Sequence, residues 1–531
     1  MPGRYLYIAF LSLLCGATAA AAQDLDNFPP GEDAAHLEAI QADRPSPHQW
    51  HARWRLQRPV AGTDAMRFYQ RLEWTAPVRL RLFLLTEKDP HEPAWNDFTA
   101  LHAIYNRPDS GLQIALGDLR PGFAQGLVMA RAPRRGGIPT LTLRRDSPQL
   151  GHRSSSEFPT LRGLGLRRQT PKGTLVLWLG RNRLDARLDT MGRAISLPTS
   201  GLHASPGQRA SRHRLRAWVG GGRWHRQSPG LNLGATLVAT HFDRLVDLRR
   251  PGKNPWALHG RGQWQWGLDL RTPWLAGELS GDQRNNLALL IAARTDLGPN
   301  RLESLLRYYA PGFHSLYGGS SSATGMRNEL GYLIALAGGG SGRSWRLFTD
   351  LYRRLQPTST EPLPGLNQTT GAQLDQSWKR RWRLQLAYQD RHRARWLNRR
   401  AISQRDQRLR LDLQRQTQPL RLQWRLEGRA VQTTVEAPEY GLLLSGQGTY
   451  QHATTQLTLH LSRYRTASYQ SRIYEFERSL PGSLSLRPLY GRGWRFNVAA
   501  QHRLGSWTAS LHYRYQQGPY CSLQIDWNPS P

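Results

Sequence analysis

Cysteine is almost absent from this chain. Only Cys15 and Cys521 occur among 531 residues, and Cys15 lies in an apolar N-terminal segment with the form of a cleavable signal. A single remaining cysteine cannot form an intramolecular disulfide or a thiolate metal site. We therefore expect no disulfide framework, no metal centre and no disulfide-linked partner.

Long apolar runs are also missing. Residues 1–22 combine the basic Arg4, an apolar core and small residues up to Ala22, which is the pattern of a secretory signal. Beyond them no stretch approaches the roughly 20 apolar residues that a membrane helix needs. If the mature chain lies in a membrane, it must do so as a closed β-barrel, since only helices and closed barrels satisfy every backbone polar group in lipid.

Acidic residues and lysines are few. The chain has 38 Asp and Glu against 72 Lys and Arg, only four of which are lysines, so its formal net charge is +34. A field of this sign attracts anions, nucleic acid or anionic lipid headgroups. An arginine excess is also what a GC-rich coding bias produces. The charge alone does not decide between selected anion affinity and compositional drift.

Catalytic signatures are absent as well. The sequence contains no G-x-S-x-G, no G-x-x-x-x-G-K-[ST] and no H-E-x-x-H, and its 17 histidines are scattered. The carboxylates Glu278, Glu303 and Glu329 lie in predicted strands, where pairing with arginine for stability is expected rather than acid–base chemistry. We predict that the protein is not an enzyme and needs no cofactor.

Strict alternation of apolar and polar residues is the main positive signal. In residues 408–414, Leu409, Leu411 and Leu413 fall on one face, while arginine, aspartate and glutamine fall on the other. The pattern recurs to the end of the chain, and helical periodicity is nearly absent. A soluble β-sandwich also alternates, but 39% apolar residues and a mean hydropathy of −0.59 leave little for a two-sheet core. The pattern favours a large antiparallel transmembrane β-barrel of about 16–22 strands in the bacterial outer membrane.

The expected organisation has four parts. Residues 1–22 are a signal peptide, and residues 23–47 form a short acidic periplasmic tail or small plug. Residues 48–527 form the barrel, and residues 528–531 are a C-terminal tail. No repeat of fixed length is apparent beyond the strand spacing.

The stretch from Gly111 to Asp189 carries glycines within predicted strands. Gly117, Gly126, Gly163 and Gly165 sit where glycine usually marks a bulge, a bend or a close backbone approach. If Leu119 and Leu161 point outward, the charged residues beside them point into the lumen. We expect tightly curved strands with an inward Asp/Arg network, and a segment from Ala132 to Pro159 that either folds inward as a constriction or plug, or is a plain surface loop.

Short motifs in this region suggest a family. The segment Gly117-Asp118-Leu119-Arg120, followed by Phe123-Ala124-Gln125-Gly126-Leu127, resembles the "GDYR…FGQGL" segment of bacterial β-barrel proteins known as helix-hairpin-helix (ComEA-like) domain-containing proteins. Further similar segments follow in the same order: Leu161-Arg162-Gly163-Leu164-Gly165, Leu184-Asp185-Ala186, Ser200-Gly201-Leu202-His203, Gly277-Glu278, Arg307-Tyr308-Tyr309 and Asn328-Glu329-Leu330-Gly331-Tyr332. Together they cover residues 105–355.

The resemblance implies an outer-membrane barrel with a connection to DNA through an N-terminal helix-hairpin-helix module. Residues 23–47 are too short and too acidic for two such units and lack their Gly-rich hairpins. Ala124 also stands where the family has glycine. The chain therefore resembles the barrel of this family without its module.

Three functions remain open from the sequence. The favoured one is an outer-membrane channel or translocation component with a strongly basic lumen for anionic solutes or polymers. The alternatives are a plugged structural or assembly barrel linked to DNA handling or to a partner complex, and a barrel lipid hydrolase. Expected partners are outer-membrane lipid, anionic solutes or nucleic acid, and a periplasmic protein. The candidate lumen and constriction residues are Asp118, Arg120, Arg162, Arg183, Asp185, Glu278, Arg307, Glu329, Arg408, Arg410, Arg421 and Arg425.

Overall fold

The computed structural model describes residues 48–529, apart from 61–64, 77–78, 131–140, 142–143, 145, 148, 159, 250–254, 359–360, 380 and 398–399. The predicted signal peptide and tail at residues 1–47 lie outside this range. The described part contains 28 strands, which form where apolar and polar side chains alternate and where β-branched or aromatic residues are frequent.

Twenty-four of the strands form one antiparallel barrel. The first twelve are β1 (Gln49–Pro59), β2 (Arg67–Thr75), β3 (Leu80–Lys88), β4 (Phe98–Arg107), β5 (Leu112–Leu119), β6 (Leu161–Thr170), β7 (Gly173–Leu184), β10 (Leu215–Ser228), β11 (Leu231–Asp247), β12 (His259–Arg271), β13 (Leu275–Asp282) and β14 (Leu287–Leu297). The other twelve are β15 (Asn300–Tyr309), β16 (Glu329–Gly340), β17 (Arg343–Arg353), β18 (Asn367–Trp378), β19 (Trp382–Leu397), β20 (Arg400–Thr417), β21 (Leu420–Thr433), β22 (Glu439–His452), β23 (Thr455–Thr466), β26 (Arg492–Leu504), β27 (Trp507–Tyr515) and β28 (Pro519–Trp527).

The remaining elements lie in the connections. They are β8 (Arg187–Leu188), β9 (Ala194–Ser196), the hairpin of β24 (Ile473–Arg478) and β25 (Leu484–Leu489), the short helix α1 (Pro206–Ser211) and one turn of 3-10 helix (Pro108–Ser110). Among the described residues no helix is long and apolar enough to cross a membrane.

The barrel closes between its first and last strands. Strand β1 pairs with β28 from Ala52↔Trp527 to Pro59↔Tyr520, so the main sheet has no open edge there. The expected fold class is confirmed, but the expected range of 16–22 strands was too low. Each strand with its connection takes about 20 residues rather than 25, because seven of the turns at one rim are only two residues long.

The outer surface is apolar and the inner surface is polar. On β22 and β23, Leu444 and Leu461 are exposed on the outside, whereas Ser445 and Ser462 are buried on the inside. Aromatic residues occur at both ends of the apolar band. The stacked pair Trp378 and Trp382 lies at one rim, and exposed aromatics such as Tyr440, Trp494 and Tyr515 lie toward the other. This is the surface of an outer-membrane barrel, with an apolar band between two aromatic girdles.

The two rims differ in the length of their connections. At the rim where β1 begins and β28 ends, every connection has two to four residues, and we call it the short-turn rim. The opposite rim, the loop rim, carries the long connections at residues 120–160, 185–214, 310–328, 354–366 and 467–491. Outer-membrane barrels place short turns in the periplasm and long loops outside the cell.

Candidate functional site in the barrel lumen

The described residues of the connection between β5 and β6, within 120–160, fold back from the loop rim into the barrel. We call the described part of this connection the plug segment. Its residues 120–130 are all buried, and Leu127 and Val128 are at most 1% exposed. The segment contacts the next long connection as well, since the Ala130 N–H donates to the Tyr317 carbonyl at 2.8 Å. Half of the segment from Ala132 to Pro159 that we expected to fold inward is described, and residues 132–140, 142–143, 145, 148 and 159 lie outside the described residues.

The predicted site residue Glu278 anchors the plug segment to the wall. It lies on β13 and is 3% exposed. Its Oε2 accepts the backbone N–H groups of Gln125 at 2.8 Å and Leu127 at 3.1 Å. A carboxylate that accepts two backbone N–H bonds satisfies donors that would otherwise be buried without a partner. Glu278 therefore fixes the position of the plug segment rather than lining an open channel.

Arg223 on β10 forms a second anchor, which sequence reasoning missed. Its guanidinium bonds Asp146 of the plug segment at 2.6 and 2.9 Å and Asp269 of the wall at 2.5 and 3.1 Å. Arg223 is 1% exposed. Asp146 also accepts the Ala124 N–H at 3.0 Å, so this ion pair holds the turn that enters the buried part of the plug. Burial and bidentate geometry make such arginine pairs strong and directional.

The wall beside the plug segment faces the opposite way from our expectation. Leu119 and Leu161 are at most 1% exposed and pack inside, in one cluster with Phe123 and Leu150 of the plug segment. Asp118 and Arg162 therefore lie on the outer side, where Arg162 bonds Asp118 at 3.0 and 2.8 Å. The inner face is apolar here because the plug segment covers it. The expected inward Asp/Arg network is wrong at these residues.

The neighbouring glycines allow close strand contact. A Cβ on Gly117 would lie 2.2 Å from the Leu101 carbonyl oxygen, and one on Gly163 would lie 2.0 Å from the Leu179 carbonyl oxygen. Real Cβ atoms do not approach backbone oxygens so closely. Of the bulge, bend or close backbone approach expected at such glycines, the structure shows the close approach at these two.

Arg120 and Arg183 do not join a common site. Arg120 is buried at the start of the plug segment, and its backbone N–H donates to the Leu150 carbonyl at 2.7 Å. Arg183 is exposed on the outer side of β7.

Arg307 and Glu329 do meet on the inner wall. The Arg307 Nε donates to Glu329 at 2.9 Å, and its Nη2 donates to Asp350 at 2.7 Å. Glu329 also accepts bonds from Ser322, Ala323 and Thr324 in the 310–328 connection. The carboxylate thus ties this second long connection to the wall.

The β24–β25 hairpin fills another part of the lumen. Its Glu475 contacts His460 at 3.2 Å, accepts the Ser462 hydroxyl at 2.6 Å and lies 3.6 Å from Arg495. Its Glu477 pairs with Arg495 and lies 3.3 Å from Arg514. These wall residues lie on β23, β26 and β27, so the hairpin is held inside the barrel by buried ion pairs.

The Glu475 carboxyl is strongly acidic in this setting. Burial raises its pKa, but the hydrogen bond and charge of His460, the Ser462 hydroxyl and the Arg495 charge outweigh burial and hold the pKa at about 2, below the ordinary 4.5. The hairpin is therefore docked through an ionised carboxylate at neutral pH.

A separate charged cluster at the loop rim includes the predicted residue Asp185. Asp185 bonds the His203 Nε2 at 2.9 Å, and Asp97 bonds the His203 Nδ1 at 2.5 Å. Arg212 contacts Asp97 at 2.8 Å. Glu92, Asp97 and His203 offer ligand atoms within 4.8 Å of one another, a spacing that suits a metal ion. Both His203 nitrogens already bond carboxylates, so a metal would have to displace one of these bonds.

Two groups of this cluster have perturbed pKa values. Burial raises the pKa of Glu157 to about 9, and the charges of Asp97, Asp185 and Glu92 act in the same direction. Burial lowers the pKa of His203, but its bonds to Asp97 and Asp185 outweigh burial and raise it above 6.5. At neutral pH Glu157 is therefore protonated, and the two carboxylates that His203 bridges favour its charged form.

The inner wall of β18–β21 carries a ladder of arginine–carboxylate pairs. Arg410 and Arg425 share Asp412, at 2.5 and 2.7 Å, and Arg408 bonds Glu427 at 2.7 Å. Arg421 lies at the short-turn rim and bonds Gln416 at 3.2 Å. The structure thus brings Arg408, Arg410 and Arg425 onto one wall, where the three arginines bond two carboxylates.

Nearer the loop rim, the described inner wall around β19 carries more arginines than carboxylates. Arg391, Arg393 and Arg395 follow one another on the inner face of β19 and line a cavity of about 250 Å³. Arg408, Arg429 and Arg472 line it too, and its two carboxylates are Asp406 and Glu427. We call this space the arginine cavity. The period-two arginines in residues 391–395 were visible in the sequence, but their significance depends on which neighbouring strands supply acids.

The comparisons with known proteins give structural matches alone. No protein-family model and no curated protein matches the chain. One solved structure that it resembles is the ferripyoverdine receptor of the outer membrane of Pseudomonas aeruginosa, with TM-score 0.41 and 10% identity over 92% of this chain and 72% of that one. The P pilus usher (PapC) translocation pore matches with TM-score 0.33 and 10% identity over 91% and 98%. The siderophore receptor PirA from Acinetobacter baumannii matches with TM-score 0.33 and 7% identity over 92% and 81%. Such scores carry neither a ligand nor an activity over to this chain.

Proposed function

We propose that this outer-membrane barrel is a channel or translocation component for anionic solutes or polymers, and that its lumen is gated by the plug segment and the β24–β25 hairpin. The proposal includes no catalytic step. The single observation that carries it is the arginine cavity, where six arginines face two carboxylates on an inward wall. An uncompensated positive wall lowers the energy of an anion in the lumen.

The gating part of the proposal is supported by how the two inward elements are held. Each is fastened by side-chain ion pairs, Arg223 to Asp146 for the plug segment and Arg495 to Glu477 for the hairpin. Neither is a strand of the barrel wall. Release of either element therefore breaks a few ion pairs and apolar contacts and leaves the 24-strand hydrogen-bond network intact.

Planar-bilayer recording on the purified full chain tests this function. For the unmodified chain we expect low conductance with rare openings. Once the plug segment is weakened, we expect frequent openings that pass chloride more readily than potassium. A barrel that stays closed after both inward elements are weakened would instead favour the structural or assembly role. The two buried inward elements are the observation that keeps this second function open.

The link to helix-hairpin-helix family barrels, and with it DNA handling, stays a prediction. A gel shift with double-stranded DNA at physiological salt tests it separately. Binding that disappears when salt is raised only moderately would reflect the general charge of +34 rather than a dedicated site.

A further inference from the structure

We infer that the arginine cavity is a binding site for a soluble oligophosphate, a ligand that carries two or three linked phosphate groups. This inference rests on the proposed function and deepens it, because it names the class of anion that the lumen retains. It depends on the positions, partners and spacing of the cavity arginines.

Three of these arginines lack a carboxylate partner of their own. Among the residues that the structure describes, Arg391, Arg393 and Arg395 make no ion pair within bonding distance. The charge of Asp406 acts on Arg391 and Arg393. Asp406 is already engaged by Arg429 through bonds of 2.8 and 2.9 Å. A cluster of like charges in a partly enclosed space is unfavourable unless an anion joins it.

The other cavity arginines are fixed in place. Arg408 bonds Glu427 at 2.7 Å, and the Arg472 Nε bonds the Tyr474 hydroxyl at 2.8 Å. Arg472 also lies 4.0 Å from the centre of the Tyr469 ring. The cavity therefore has a rigid floor and side, with three unmatched guanidinium groups along one strand. Preorganised arginine forks suit the bidentate geometry of phosphate oxygens.

The spacing and the size point to linked phosphates rather than one small anion. Residues two apart on a strand rise by about 6.7 Å, so the three arginines extend over about 13 Å. The cavity has a volume of about 250 Å³. A single chloride uses little of this row, whereas a chain of phosphates contacts neighbouring arginines at once.

Isothermal titration of the detergent-solubilised full chain with inorganic tripolyphosphate tests the inference. We expect saturable binding at a ratio of one, with pyrophosphate weaker and monophosphate and chloride at least tenfold weaker. Arg391→Gln and Arg393→Gln each weaken binding about tenfold, as loss of one charge-assisted contact predicts. Arg393→Lys keeps the charge but loses the planar fork, and recovers only part of the affinity.

Arg405→Gln is the matched control. Arg405 lies on the same barrel level but on the outer face, where it bonds Asp390. The substitution Arg405→Gln removes one positive charge outside the cavity, so we expect tripolyphosphate affinity to stay within about twofold of that of the unmodified chain. Equal losses in Arg405→Gln and Arg393→Gln would mean general charge attraction and would overturn the site.

Two further arms separate the sources of phosphate. Phosphatidic acid in mixed micelles presents the same group on a lipid, and we expect no competition with tripolyphosphate. Binding of the lipid alone overturns the inference of a soluble ligand. If the barrel binds tripolyphosphate but never conducts, the proposed function is contradicted and the binding site is not. If the barrel is an anion-selective channel that does not bind tripolyphosphate, only the binding site is contradicted.

Discussion

Replacing Asp146 by asparagine is expected to loosen the plug segment. Arg223 is 1% exposed and bonds Asp146 through two N–H···O contacts and Asp269 through two more. A hydrogen bond to a charged group contributes about 1.5–3 kcal/mol, and a neutral one about 0.5–1.5 kcal/mol. Asparagine keeps one oxygen acceptor for Arg223 but replaces the other by an NH2 group, which cannot accept a hydrogen bond. Loss of one bond to the charged guanidinium costs about 2 kcal/mol of plug anchoring. This corresponds to an increase of about 30-fold in the released population.

Hydrogen exchange of the backbone amides in residues 123–130 measures this directly, and the frequency of single-channel openings measures its consequence. The matched control is Asp269→Asn, which changes the same Arg223 contact from the wall side and leaves the plug segment bonded. We expect faster exchange and more openings in Asp146→Asn, and little change in Asp269→Asn. Unchanged exchange in Asp146→Asn, or the same increase in both variants, would show that the Arg223–Asp146 ion pair does not anchor the plug segment.

Three further outcomes follow from the structure. Ala124 has φ +47°, a left-handed conformation that costs alanine about 1–2 kcal/mol, so Ala124→Gly should raise or preserve thermal stability, and a loss above about 1 kcal/mol would contradict the assigned turn. Glu475 has a folded pKa of about 2 against 4.5, so hairpin docking is fully stabilised above pH 4.5 and weakens as pH falls toward 2; exchange in residues 473–489 should rise over that range in the unmodified chain, and Glu475→Gln should exchange fast at every pH. The pKa of Glu157 is raised from 4.5 to about 9 and that of His203 is raised above 6.5, so the loop-rim cluster loses stability as pH rises from 4.5 to about 9 through Glu157, and His203 adds to this loss above pH 6.5. Limited proteolysis of the 185–214 connection should therefore become faster as pH rises, and the increase should be smaller in Glu157→Gln.

The sequence predicted the barrel wall well because strand alternation is a local property. Leu409, Leu411 and Leu413 identify an outer face without knowledge of the rest of the fold. The side on which Asp118 and Arg162 lie could not be predicted in this way. Alternation with a period of two residues defines two faces of a strand but does not say which face is inside. The expectation that apolar side chains face outward fails where the plug segment makes the inner face apolar.

The anchors of the lumen were less predictable still. Arg223 and Asp146 are 77 residues apart in sequence, and their contact depends on how a long connection folds back into the barrel. Glu278 was identified as a charged inward residue, but its role as an acceptor for Gln125 and Leu127 requires the plug segment to be in place. Strand number was underestimated because turn lengths, not strand patterns, set the spacing.

We propose that the positively charged lumen selects anions. The most direct measurement is the reversal potential of single channels across a potassium chloride gradient, recorded for Asp146→Asn with the cavity intact and with Arg391→Gln and Arg393→Gln added. We predict a reversal potential toward the chloride equilibrium potential that moves toward zero when the two arginines are neutralised. Cation selectivity, or an anion selectivity that the two substitutions leave unchanged, would contradict it.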